Sequence, residues 1–145
     1  MLFEVFYSGG MPTILCEGET DNVYLSAAIH RLAASYPELA VSVDPNKLKL
    51  NVRLYKYSNT VNKRILQLAG GTGDLHNFIV EYHRQVTTKF KSPAPRHPVV
   101  MLIDHDSGKD KVFDAIKKVT KKPIDESLPF THLFSNLYLV LTPTV

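Results

Sequence analysis

The sequence lacks the features that mark a secreted or membrane-bound protein. It has one cysteine in 145 residues, Cys16, so no internal disulfide can form. No apolar run approaches the roughly 18 residues that a membrane-spanning helix needs. The N-terminus has neither a basic start nor the long apolar stretch of a signal peptide. We therefore expect a cytoplasmic protein that does not bind a membrane, with Cys16 as a buried, inert thiol.

Lysine and arginine are also absent from the first 30 positions, and the first of them is Arg31. The formal net charge of the whole chain is +3, and its positive side chains all lie at or after Arg31. Its densest positive stretch follows an acidic motif and consists of Lys109, Lys111, Lys117, Lys118, Lys121 and Lys122. This stretch has two interpretations, a solvated helix face or a surface that contacts phosphates. On the second interpretation, Lys109 and Lys111 bind nucleic acid.

The chain length fits one domain, residues 1–145, and its pattern alternates strands with helices. Such alternation predicts an α/β fold with a mostly parallel sheet flanked by helices on both faces. Apolar runs predict strands at 12–16, 64–68, 99–103 and 137–141, and strict alternation predicts a half-exposed strand at 48–54. Helical spacing of apolar residues predicts helices at 22–35, 75–90 and 109–120, the first of them capped by Thr20 or Asp21.

Carboxylates follow two of the predicted buried strands. Asp104 and Asp106 come directly after the strand at 99–103, and they share one side if the extended conformation persists beyond it. Glu17 occupies the equivalent place after the first strand, followed by Gly18, which is expected to allow a sharp turn. Because ligands of α/β proteins bind beyond the carboxyl ends of strands, these carboxylates can converge on one ion. Oxygen-only ligands favour Mg²⁺ or Mn²⁺ over zinc.

Several neighbouring residues have more than one interpretation. Asp21 is either a ligand of a second ion or a helix N-cap. Asp110 is either an outer metal ligand or an acid that is favourable in the first turn of a helix. His105 is expected to point away from the ion between Asp104 and Asp106. The segment Gly70–Asp74 is expected to form a tight turn that lines the same cleft, since it lacks the spacing of a phosphate-binding loop.

Together these motifs resemble the Toprim family, the catalytic domain of topoisomerases, bacterial primases and several nucleases. The likeness lies in Cys16-Glu17-Gly18 and in Ile103-Asp104-His105-Asp106. The longer stretch from Leu15 to Leu25 is similar to the start of nuclease-type Toprim domains such as those of the OLD family. With the glycine-rich turn and the Asp-x-Asp-Ser-Gly segment, the chain resembles most the Toprim region fused to retron reverse transcriptases.

The resemblance implies a nuclease that depends on Mg²⁺ or Mn²⁺ and hydrolyses phosphodiesters of RNA or DNA. Glu17, Asp104 and Asp106 would be catalytic and would bind the metal together with Asp21, and Glu17 could alternatively act as the general acid or base. The implied biological role is the toxic effector of an anti-phage retron, with the reverse transcriptase and its RNA–DNA hybrid as partners. One alternative is an inactive Toprim-like module that binds nucleic acid or the reverse transcriptase. A second alternative is that the chain is a fragment of a longer reverse transcriptase–Toprim protein.

Overall fold

A computed structural model describes residues 3–45, 47–55, 72–90, 94–106 and 108–143. A π-helical turn at Phe3–Tyr7 opens the described chain. The strands are β1 (Thr13–Cys16), β2 (Ala40–Asp44), β3 (Lys47–Leu50), β4 (Arg53–Leu54), β5 (Val99–Ile103), β6 (Thr131–Phe134) and β7 (Leu137–Leu141). The helices are α1 (Glu19–Leu32), α2 (Thr72–Thr88) and α3 (Lys109–Thr120).

Five strands form the main sheet in the order β4-β1-β5-β7-β6, and the first four are parallel. β6 is antiparallel to β7 at one edge. The register places Cys16 opposite Leu102, and Leu102 opposite Val140. The carboxyl ends of β1, β5 and β7 therefore lie level with one another. The predicted α/β class with a mostly parallel sheet is confirmed.

The larger core lies between one face of this sheet and helices α2 and α3. Alternate residues of the strands point into it, among them Leu15, Met101 and Leu139, because successive side chains of a strand face opposite sides. The two helices meet them with an apolar stripe at helical spacing, as the sequence pattern requires. The buried helical residues are Leu75, Phe78, Ile79, Tyr82, Val112, Ala115 and Ile116.

The opposite face of the sheet packs against α1 at one side. A smaller cluster there contains Ile29 of α1, together with Ala40 and Val52. Ile14 of β1 and Leu54 of β4 pack against it from the sheet. Helices thus lie on both faces of the sheet, as predicted, and β1 is covered on both sides. None of the helices in the described ranges is long and apolar enough to cross a membrane.

A buried polar network closes the end of the sheet opposite the carboxyl ends. The side-chain amide of Asn136, 6% exposed, donates to the carbonyl oxygens of Phe6 at 2.8 Å and His97 at 2.9 Å. Its Oδ1 accepts a hydrogen bond of 2.7 Å from the hydroxyl of Tyr82. One side chain therefore joins the N-terminal turn, the segment 94–98 before β5, and α2 to the turn between β6 and β7.

The segment 48–54 does not form the single strand that its alternation predicts. It divides into β3, which pairs with β2 in a separate two-stranded antiparallel sheet, and β4, which joins the main sheet. The break is stabilised by two backbone hydrogen bonds, from Asn51 N–H to Leu39 O and from Arg53 N–H to Pro12 O, each 2.8 Å. Alternation predicts an extended backbone but not which partner each half pairs with.

The other strand and helix predictions have mixed outcomes. The strand at 99–103, the helix at 109–120 and the strand at 137–141 are confirmed, and the first strand is confirmed at Thr13–Cys16. Helices α1 and α2 each begin three residues earlier than predicted. Neither β2, which is exposed in all but its first residue, nor β6 was predicted from the sequence. The predicted strand at 64–68 and the glycines at 70 and 71 lie outside the described residues.

Candidate acidic site

The candidate site lies where β1 and β5 end side by side. Glu17 and Asp104 are the first residues beyond these paired parallel strands, so the fold brings them together although 87 positions separate them. The backbone N–H of Asp104 donates to Glu17 Oε2 at 3.4 Å. The sequence predicted this meeting only if the two strands were neighbours, and the sheet order shows that they are.

Thr142 brings the end of a third strand, β7, to the same place. Its backbone N–H donates to Ile103 O at 2.9 Å and extends the ladder between β5 and β7. Its hydroxyl accepts a hydrogen bond of 3.1 Å from His105 N–H and donates to Asp104 Oδ1 at 3.5 Å. Thr142 therefore holds the loop that carries the two aspartates. Sequence reasoning missed this residue, although a polar residue directly after a buried strand was the signal that identified Glu17 and Asp104.

The side chain of Asp106 faces the backbone N–H of Gly108. The extended conformation ends at Ile103, and the chain bends at His105 and Asp106. Asp106 Oδ1 accepts a hydrogen bond of 2.8 Å from Gly108 N–H, and its carbonyl accepts one of 3.3 Å from Lys109 N–H. The condition for the shared direction of Asp104 and Asp106, persistence of the strand, is therefore not met in this arrangement.

Asp21 has a role in the first turn of α1. Its Oδ2 accepts a hydrogen bond of 3.1 Å from Gly18 N–H, which is the return half of a capping box. The N-cap is Gly18 itself, so the prediction that Thr20 or Asp21 caps the helix was wrong. The backbone of Gly18, with φ −149° and ψ 171°, is extended and open to any residue. The expected glycine-dependent sharp turn is not what this residue provides.

The acidic side chains repel one another. The pKa of Glu17 is raised, first by burial and further by the negative charges of Asp104, Asp106 and Asp21, against a lowering by the hydrogen bond from Asp104 N–H. Burial, followed by the charges of Asp21, Asp104 and Glu17, raises the pKa of the Cys16 thiol to about 11. Cys16 is 0% exposed. The thiol is therefore inert, as its apolar neighbours predicted.

The donors at this site have the chemistry that a hard divalent cation requires. They are carboxylate oxygens, and a cation among them would relieve the repulsion that adds to burial in raising the pKa of Glu17. Within the ranges that the structure describes, no three His, Cys, Asp or Glu side chains are grouped closely enough to hold an ion as they stand. Binding through Glu17, Asp104 and Asp106 would require these three side chains to move closer together.

The basic residues beside the site differ in their contacts. Lys109 Nζ forms an ion pair of 2.7 Å with Glu126 Oε1, and His105 Nε2 lies 2.8 Å from the same oxygen. Lys111 is exposed, as is Asp110 in the first turn of α3. Nothing in the sequence pattern pointed to Glu126, which lies in the irregular segment between α3 and β6.

No family model matches this chain, and no solved structure matches it. Its function must therefore be argued from the site and from the likeness of its motifs.

Proposed function

We propose that this protein is a Toprim-type nuclease that hydrolyses phosphodiesters of nucleic acid with Mg²⁺ or Mn²⁺. The observation that carries the proposal is the position of Glu17 and Asp104 at the level ends of two adjacent parallel strands. The hydrogen bond from Asp104 N–H to Glu17 Oε2 holds these two residues in contact. The likeness of Cys16-Glu17-Gly18 and Ile103–Asp106 to the Toprim motifs supports the same function.

In this proposal Glu17, Asp104 and Asp106 would hold the metal, and Asp21 supports the turn that carries Glu17. A bound Mg²⁺ supplies activation of water and neutralisation of charge on the phosphoryl group. Thr142 keeps the loop of Asp104 against the end of β7. Glu17 holds a proton more readily than an ordinary glutamate because its pKa is raised, which suits the alternative role of general acid or base.

The biological role that we propose is the toxic effector of a retron, with the reverse transcriptase and its RNA–DNA hybrid as partners. This part rests on the resemblance of residues 15–25 and of the Asp-x-Asp-Ser-Gly segment to retron Toprim regions. Induced expression in a bacterial host tests it. We expect the wild-type chain to slow growth and Asp104→Asn to relieve the effect. Equal growth with both chains would contradict an effector role that depends on the acidic site.

Cleavage assays test the nuclease. RNA, single-stranded DNA and duplex DNA are incubated with the protein in Mg²⁺, Mn²⁺ or EDTA. We expect Asp104→Asn to lower the cleavage rate by at least about 100-fold, because even outer-shell partners of a metal cost up to that much when they are removed. Asp114→Asn is the matched control, since Asp114 is an exposed aspartate of α3. Activity that survives both EDTA and Asp104→Asn would refute the mechanism.

A second candidate is a Toprim-like module that binds nucleic acid or the reverse transcriptase without cutting. One observation favours it, namely that Asp21 and Asp106 each accept a hydrogen bond from a backbone N–H group, and no three acidic side chains in the described ranges are grouped closely enough to hold an ion. The same assays separate the two functions. Binding of nucleic acid that is unchanged by EDTA, with no turnover in either metal, would support the binding module.

A further inference from the structure

A basic pair with an anion already bound to it lies directly beside the acidic site. Lys109 Nζ and the His105 ring nitrogen Nε2 converge on one oxygen, Oε1 of Glu126, at 2.7 and 2.8 Å. These lengths are within the range of charge-assisted hydrogen bonds. The two basic side chains are only 22% and 19% exposed, whereas that of Glu126 is 42% exposed. Two mostly buried donors thus bind the carboxylate of a more exposed side chain.

The backbone holds both donors in place independently of Glu126. His105 N–H donates to the hydroxyl of Thr142 at 3.1 Å, and Lys109 N–H donates to the carbonyl of Asp106 at 3.3 Å. Lys109 is also the first residue of α3, and the buried residues Val112, Ala115 and Ile116 anchor this helix in the larger core. Glu126 belongs to no helix or strand. The backbone of both donor residues is therefore held by the fold, whereas Glu126 lies in an exposed irregular segment, so its carboxylate is the exchangeable member of the group.

We propose that Lys109 and His105 form a phosphodiester-binding subsite, which the carboxylate of Glu126 occupies until nucleic acid displaces it. The inference rests on the proposed function, because the subsite would bind the phosphate next to the one at the acidic site. A phosphate oxygen accepts the same two hydrogen bonds as Glu126 Oε1. Ion pairs with an exposed partner are weak, so a polyanion can replace this one. The pKa of Glu126 is lowered by the hydrogen bonds from Lys109 and His105, so the side chain is an anion at neutral pH.

Binding without metal tests the subsite. The probe is a short fluorescein-labelled single-stranded DNA, and its fluorescence anisotropy is measured in EDTA so that no cleavage occurs. We expect Glu126→Gln to tighten binding by about threefold to fivefold, because the competing charge is removed and an exposed pair holds the donors only weakly. We expect Lys109→Gln to weaken binding and to lower the slope of log Kd against log salt by about 0.7, the value for one phosphate contact on a single strand.

Two controls separate a subsite from a general charge effect. Glu81→Gln removes the same charge from another exposed ion pair, with Arg84 on α2, and should leave the affinity unchanged within about twofold. In the Lys109→Gln background, only His105 remains to be released, so Glu126→Gln should give a smaller gain. Thermal unfolding of each variant establishes that it is folded, and the exposed position of Glu126 makes this the expected result.

Each other outcome overturns the proposal. Weaker or unchanged binding by Glu126→Gln would make Glu126 a positioning residue for Lys109 or a bystander. A gain of the same size without Lys109 would be a charge effect. Displacement of the DNA by millimolar inorganic phosphate would assign the subsite to free phosphate. Because this assay uses neither metal nor turnover, its failure is distinct from a failure of the Asp104→Asn cleavage test.

Discussion

Removal of the Tyr82 hydroxyl tests how much the buried polar network contributes to the stability of the fold. The Tyr82 side chain is 0% exposed, and its ring stacks on Phe78 with centroids 5.4 Å apart and meets Phe6 edge-on at 6.2 Å. Tyr82→Phe keeps these ring contacts and deletes only the donor to Asn136 Oδ1. The substitution therefore isolates one buried hydrogen bond.

The expected cost follows from what is left behind. Asn136 Oδ1 loses its donor in a site that is 6% exposed, and an unsatisfied buried acceptor costs about 1 to 3 kcal/mol. Asn136→Ala also frees the carbonyls of Phe6 and His97, so three hydrogen bonds of about 1 kcal/mol each give a loss of roughly 3 kcal/mol. In the double variant, Tyr82→Phe should cost less than it does alone, because its partner is already absent.

Urea unfolding followed by circular dichroism measures the free energy of unfolding of each variant. Tyr24→Phe is the matched control, since that tyrosine is 75% exposed and its hydroxyl should contribute less than about 0.5 kcal/mol. Equal losses from Tyr82→Phe and Tyr24→Phe would refute the network. Strict additivity in the double variant would show that Tyr82 and Asn136 are not coupled.

Three further predictions concern pH, the third strand end and the first helix. Burial raises the pKa of Tyr82 well above its ordinary value of 10.0. The contribution of the Tyr82 hydroxyl to stability is therefore complete below about pH 10 and is lost as pH rises further. Tyr82→Phe should flatten the alkaline fall of the urea midpoint, and identical pH profiles would contradict this. Thr142→Val should lower the free energy of unfolding by about 1 kcal/mol, because His105 N–H loses its acceptor. It should also weaken manganese binding measured by calorimetry, and unchanged affinity would show that Thr142 does not position the site. Gly18→Ser should raise the free energy of unfolding by roughly 0.5 to 1 kcal/mol. The extended N-cap accepts any residue and lacks a side-chain cap. Destabilisation on thermal melting would show that glycine is required there.

The strands that carry the candidate site could be predicted because each is a short apolar run of a buried parallel sheet. Val99–Ile103 and Leu137–Leu141 have the predicted bounds, and so has α3, whose apolar stripe repeats at helical spacing. The strands that prediction missed or misplaced are of another kind. β2 is mostly exposed and was not predicted, whereas the alternation of β3 predicts an extended backbone but not that it pairs with β2.

The candidate site divides in the same way between local pattern and tertiary contact. A carboxylate directly after a buried strand is readable from the sequence, which is why Glu17 and Asp104 could be named. The direction of Asp106 could not be predicted, because it depends on the bend after Ile103 and on the hydrogen bond from Gly108 N–H. Glu126 could not be found either, since its contact with Lys109 joins residues in a helix and an irregular segment.

By itself, the sequence determined which segments are buried strands, which helices cover them and which carboxylates stand at the strand ends, because hydrophobic period and residue type are local properties. Only the tertiary structure decided that β1 and β5 are neighbours, that Thr142 reaches Asp104 and that Glu126 binds the basic pair. The physical reason is that strand order and loop contacts depend on the packing of the whole chain. No local pattern of residues encodes them.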